Sequence, residues 1–211
     1  MTRFWMLMAA KLLLAVLVAG GIAAYALGLG PFAGKLGAVA ESQGQSLIGG
    51  PFSLVDQTGK RVTEADFAGR AMLVYFGYTY CPDVCPTGLA TMMAAYDELS
   101  PAEQAEVAPV FITVDPERDD VKAMASYVAL FHPALIGLTG TEEEVDEAAS
   151  AWRVYHRKAE SEKANDYLVD HSTFTYLMDG HNRYLTHFGH GVGPDEMAKG
   201  IEKALAEGAA G

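Results

Sequence analysis

Two uninterrupted apolar segments constrain the layout of this chain more than any other feature: AMLVYFGY at residues 71–78 and APVFITVD at residues 108–115. Both are short, rich in β-branched and aromatic residues, and free of polar alternation. A strand of that kind must be covered on both faces, which calls for a sheet with helices above and below it. Between the two segments, Leu89, Met92, Met93, Tyr96 and Leu99 recur at helical spacing. A strand, a helix and a second strand in succession begin the alternating order of an α/β fold.

The flanking sequence fills in this frame. PFSLVDQTGKRVTEADFAG, from residue 51, carries a turn at Asp56–Gly59 between two short strands. Pro86 suits the first turn of a helix. Ser100-Pro101-Ala102-Glu103 reads as a capping box, and Thr141 with Glu142–Glu144 caps a helix through about Tyr155. Residues 120–131 read as helix and LIGL at 135–138 as a short strand. STFTYLMD at 172–179 alternates like a strand, and Asp179-Gly180-His181-Asn182 turns into a further strand, RYLTHF. A last helix runs from Pro194 to Glu207, stopped by Gly208. The expected fold class is α/β with a mixed sheet. The element order is that of a thioredoxin-like fold with an extra N-terminal β-hairpin.

The N-terminus is different in kind. Leu12–Leu29 carries no charge, and the apolar stretch reaches back to Phe4 if Lys11 snorkels towards the head groups. We expect an anchor over residues 1–30, a Gly/Ala/Ser-rich linker over 31–46 and the folded domain over 47–211. A cleaved signal peptide is the alternative: Ala38-Val39-Ala40 has the form of a cleavage site but lies well beyond the apolar run. Arg3 and Lys11 precede the run and Lys35 follows it, so the positive-inside rule places the domain outside the cytoplasm. The expected location is a single-pass protein of a bacterial-type inner membrane, with the domain on the periplasmic side. The formal net charge is −12, and residues 41–211 hold 12 of the 15 basic and all 27 acidic residues. A body this acidic repels phosphate backbones, which argues against nucleic acid as a partner.

The only two cysteines, Cys81 and Cys85, follow the first apolar strand directly, at the strand-to-helix turn where chemistry gathers in α/β folds. Three readings are open. A structural disulfide persists outside the cytoplasm, but so short a loop restrains the unfolded chain little. A redox-active pair gains from the helix N-terminus, which favours thiolate, although such pairs ordinarily have two intervening residues rather than three. A metal site is the third reading: residues four apart on a helical turn point the same way, and soft sulfur suits Cu(I) or Zn(II).

A metal needs a further ligand, and the chain has six histidines. His132, before Pro133, reads as a helix C-cap, His156 as solvated, and His181 as a turn residue. His187 and His190 are candidates for a second, weaker site. His171 stands apart, because in a thioredoxin-like fold the strand it introduces approaches the cysteine turn. Asp170 beside it is a candidate to orient the ring.

Cys81-Pro82-Asp83-Val84-Cys85-Pro86, Val114-Asp115-Pro116-Glu117-Arg118-Asp119 and Asp170-His171-Ser172 together resemble the Sco/SenC family, membrane-anchored copper proteins that assist assembly of cytochrome c oxidase. The likeness runs from about residue 47 to the C-terminus. It implies that Cys81, Cys85 and His171 are copper ligands and that Asp115 matches an acid near the site. It implies a metallochaperone whose partner is the oxidase subunit bearing the binuclear copper centre, with another periplasmic copper chaperone as a candidate donor. A thiol–disulfide reductase that keeps the oxidase cysteines reduced is the competing function, with Cys81 and Cys85 closing to a disulfide on oxidation. Asp119-Asp120-Val121 stands where relatives often carry Thr-Pro, a departure that bears on the loop rather than the metal.

Overall fold

The computed structural model describes residues 47–159 and 167–208. The anchor expected over 1–30 and the linker over 31–46 lie outside the described residues. Among the described residues no helix is long and apolar enough to cross a membrane.

The two apolar segments become β3 (Ala71–Gly77) and β4 (Val107–Thr113), parallel and in register from Ala71 opposite Val107 to Gly77 opposite Thr113. Every residue of both strands is buried. They form the centre of a seven-stranded sheet in the order β2-β1-β5-β4-β3-β8-β9. The remaining strands are β1 (Ser53–Asp56), β2 (Arg61–Thr63), β5 (Ile136–Thr139), β8 (Thr175–Met178) and β9 (Tyr184–Phe188). β5 is parallel to β4, and β8 runs antiparallel to β3. The expected N-terminal hairpin is β1–β2, which joins the sheet through β1 antiparallel to β5. Its turn holds Gly59 at φ 88°, where a side chain would be strained, and Asp56 Oδ1 accepts from Thr58 N at 2.8 Å.

Among the described residues five α-helices accompany the sheet: α1 (Val84–Glu98), α2 (Pro101–Glu106), α3 (Val121–Val128), α4 (Glu142–Ala151) and α5 (Pro194–Gly208). Both capping boxes form: Ser100 with Glu103 opens α2, and Thr141 with Glu144 opens α4. Helix α1 turns Cys85, Leu89, Met92, Met93 and Tyr96 inward and packs on α5. On the core side, Phe76, Trp152 and Tyr176 form a mutual aromatic cluster with centroids 5.7 to 6.3 Å apart.

Two departures from the sequence expectation matter for the site. Helix α4 ends at Ala151 rather than near Tyr155, because Arg153 takes a left-handed φ of 56° and Val154 N bonds back to Ala149 O at 2.8 Å. That is a helix stop of the kind usually built on glycine. The chain it releases forms a second, two-stranded sheet, β6 (His156–Lys158) against β7 (Val169–His171). His171 is therefore the last residue of β7, and β8 begins only at Thr175.

Candidate metal centre

The cysteine turn begins where β3 ends. Gly77 has no side chain because none fits: a Cβ there would lie 2.9 Å from Cys85 Sγ and 3.0 Å from Phe111 Cε2. Cys81 N bonds to Tyr78 O at 3.3 Å, and the turn is fastened by Asp119 from the loop that follows the adjacent strand β4. The buried Asp119 carboxylate accepts from Thr79 N at 2.9 Å, Thr79 Oγ1 at 2.5 Å and Thr113 Oγ1 at 2.6 Å. Burial pushes the Asp119 carboxyl up, against those hydrogen bonds.

Helix α1 starts at Val84, and its N-cap residue Asp83 makes no side-chain cap bond. Cys81 sulfur serves instead, accepting from Cys85 N at 3.3 Å. The hydrogen bond from the Cys85 thiol, against burial and aided by the backbone N–H groups of Asp83 and Cys85, holds Cys81 well below the ordinary thiol range. That same bond, together with full burial, pushes Cys85 up. Cys81 is 7% exposed and Cys85 0%, so only Cys81 reaches the surface, at an open cleft of about 270 Å³ edged by Pro82, Leu168, Asp170 and His171. Both cysteines are free thiols.

β7 carries His171 to this turn. Its Nε2 lies 3.1 Å from Cys85 Sγ, and its ring stands edge-on to Tyr78 and Tyr75 with centroids 5.8 and 6.4 Å away. Its Nδ1 lies 2.9 Å from Ser172 O. A carbonyl only accepts, so Nδ1 carries the proton of the neutral ring and Nε2 presents its lone pair to the sulfurs. The ligand atoms of Cys81, Cys85 and His171 all lie within 4.8 Å of one another, the one such group of three among the described residues. Two thiols and an imidazole suit a soft, borderline ion such as copper or zinc.

The other expected residues fall elsewhere. Asp170 is exposed, opposite Arg157 in the β6–β7 register, and the ring nitrogen it was expected to orient meets Ser172 instead. Asp115 is fully buried and is engaged by other side chains: it accepts from Arg118 Nε at 2.5 Å and Tyr167 OH at 2.7 Å. His132 does not cap α3; its Nδ1 accepts from Ala134 N at 3.0 Å and its Nε2 lies 3.2 Å from Asp97. His156 is a half-buried strand residue 3.2 Å from Asp146 rather than a solvated one. His187 Nδ1 is engaged by Tyr184 OH at 2.5 Å, and neither it nor His190 belongs to a group of three potential ligands. Gly77, Arg118, Asp119 and Tyr167 escaped the sequence reading as contributors to the site. Arg118 and Asp119 stand in the VDPERD motif, which was the available signal; Gly77 and Tyr167 carried none.

A family model described as SCO1/SenC matches residues 40–206. The chain is 45% identical over 166 residues to the mitochondrial SCO1 homolog 1 of Arabidopsis thaliana, covering 79% of this chain and 49% of that one. It spans about half the length of the curated relatives it matches. Among solved structures, the crystal structure of Arabidopsis thaliana ScoI with copper bound is 45% identical, with a TM-score of 0.72 over 76% of this chain and 99% of that one. BsSco, described as a member of the Sco family of cytochrome c oxidase assembly proteins with a disulfide switch, is 26% identical, with a TM-score of 0.59 over 74% of this chain and 92% of that one. The fold is thus the mixed α/β, thioredoxin-like fold of the Sco proteins.

Proposed function

Because this chain belongs to the SCO1/SenC family, we propose that it is a copper metallochaperone serving the assembly of cytochrome c oxidase. The observation that carries the reading is the convergence of Cys81, Cys85 and His171 within 4.8 Å. Copper here is cargo. Cys81 and Cys85 thiolates would hold it with His171 Nε2, and the three donors leave a position open, where a structural zinc site is ordinarily closed by four. The cleft above Cys81 is the side from which a recipient's ligands enter.

The recipient we propose is the oxidase subunit bearing the binuclear copper centre, and the donor another extracytoplasmic copper chaperone. The uncharged run Leu12–Leu29 supports a single-pass anchor, with residues 47–211 on the periplasmic side of a bacterial-type inner membrane.

A second reading, thiol–disulfide exchange with the oxidase cysteines, is favoured by the lowered Cys81 thiol at the cleft. Cys81 and Cys85 would close to a disulfide as a partner disulfide is reduced. His171 separates the two functions. We expect the reduced, anaerobic protein to bind one copper. His171→Ala should stay folded, keep its dithiol, and lose more than the roughly 10–100-fold affinity typical of mutating residues that only support a ligand. It should also fail to restore oxidase activity in cells lacking the wild-type gene. Full activity from His171→Ala without added copper would put dithiol exchange first.

A further inference from the structure

Arg118 sits where three separate segments meet, two of which carry the candidate ligands. Its side chain is only 13% exposed. Nε donates to Asp115 on its own loop, between β4 and α3, at 2.5 Å, and Nη1 donates to the Tyr167 carbonyl at 3.0 Å. The guanidinium carbon lies 3.7 Å from the centroid of the Tyr167 ring, 4.8 Å from that of Tyr80 and 5.7 Å from that of Tyr78. Tyr78 and Tyr80 belong to the cysteine turn, and Tyr167 lies four residues before His171 on the way into β7. Tyr167 closes the ring by donating its hydroxyl to Asp115 at 2.7 Å.

Neutralising Asp115 does not by itself require this arrangement. An ammonium would supply the charge, and Nη2 is left buried with no partner among the described residues. What an arginine adds is a planar fork that bonds in two directions while stacking on rings. Here one arm holds the strand-end acid, the other holds the backbone of the incoming hairpin, and the plane is gripped by rings from both the hairpin and the cysteine turn.

We propose that Arg118 is a positioning residue for His171, a pin that ties the β6–β7 hairpin to the cysteine turn and so sets the imidazole over the two sulfurs. Its consequence for copper rests on the ligand role proposed above for His171; the placement itself is a property of the metal-free protein.

The test uses Arg118→Lys, which keeps a positive charge beside Asp115 and loses both the second arm and the stacking plane. In the reduced, metal-free protein, NMR should show the contacts of the His171 ring protons to the Tyr75 and Tyr78 rings weakened or lost, with the Phe76–Trp152 contacts of the core intact. Cu(I) affinity, measured by competition with a chromophoric chelator, should fall about 10–100-fold, the range typical when a residue supporting a ligand is changed. Tyr167→Leu, which leaves the Arg118–Asp115 pair in place, should show the same loss of His171 contacts and decides the matter if Arg118→Lys fails to fold. Unchanged His171 contacts in the folded variant overturn the proposal and leave Arg118 as a counter-ion for Asp115. Lost contacts with unchanged Cu(I) affinity uphold the positioning and instead defeat His171 as a copper ligand.

Discussion

The strand that leads to two of the three converging atoms is buried along its whole length, whereas the hairpin that carries the third is mostly exposed or half-buried. Cys81 and Cys85 follow β3, whose seven residues are all buried between β4 and β8, and Gly77, Phe111 and Tyr75 close around the Cys85 sulfur. His171 ends a hairpin of two three-residue strands in which Val169 alone is buried. That hairpin is fastened by polar contacts: Lys158 to Glu117 at 2.6 Å, Arg118 to Tyr167, Tyr167 to Asp115, and Ser172 N to Tyr155 O at 2.9 Å. The sulfurs are placed by packing, which is stiff because a close-packed interior tolerates little change in volume. The imidazole is placed by hydrogen bonds and a cation against aromatic rings, which are individually weaker. One site therefore has two kinds of mechanical backing, firm under the sulfurs and adjustable under the nitrogen.

The contrast predicts unequal responses to mutation. Phe111→Ala removes a fully buried ring beside Cys85 and should cost about 3–5 kcal/mol in a urea titration. A loss no greater than that of a hairpin variant would erase the distinction. Gly77→Ala places a methyl 2.9 Å from the Cys85 sulfur and should cost about 1–3 kcal/mol, with weakened copper binding in the folded fraction. Lys158→Ala, which breaks exposed ion pairs and a cation–π contact with the Tyr167 ring at 5.3 Å, should change stability by no more than about 1 kcal/mol, a shift of at most a few degrees (about 2–4 °C) in a thermal melt.

The thiols sharpen the contrast through pH. An ordinary cysteine alkylates about tenfold faster per pH unit up to its pKa near 8.5, because only the thiolate reacts. The lowered Cys81 thiol is already ionised across that range, so its rate in the metal-free protein should be nearly flat between about pH 6 and 8. Cys85→Ala removes the donor that stabilises the thiolate. The Cys81 pKa then rises, each unit above the working pH costs about tenfold in thiolate, and the slope with pH returns. A wild-type rate that climbs tenfold per unit would contradict the shared-proton arrangement.

The same division governed what the sequence made legible. β3 and β4 announce themselves as apolar runs, and the helices α2 and α4 by their capping boxes, since these signals are local. The cysteines and His171 were recognisable as a set. The hairpin that delivers His171 was not, because three-residue strands reading His-Arg-Lys and Val-Asp-His carry no periodicity, and the α4 stop uses Arg153 where a glycine would have marked it. Asp170 looked like the ring's partner because it is adjacent in sequence, yet neighbouring strand residues point to opposite faces. Arg118 and Tyr167 were invisible as a pair, being 49 residues apart and joined only by the fold.

The unequal depth of the two sulfurs also decides how a disulfide between them would open. An incoming thiolate can reach only Cys81, so the new bond forms there and the electron pair of the broken S–S bond departs with Cys85. That leaving group is the fully buried sulfur: the hydrogen bond to the Cys81 thiolate that most raises its thiol in the dithiol is gone, but burial still disfavours its thiolate, and a disfavoured thiolate leaves slowly. The reachable sulfur is thus tied to the worse leaving group. Once oxidised, the pair should open more slowly with small thiols than an exposed disulfide does, which favours a reductant that fits the cleft.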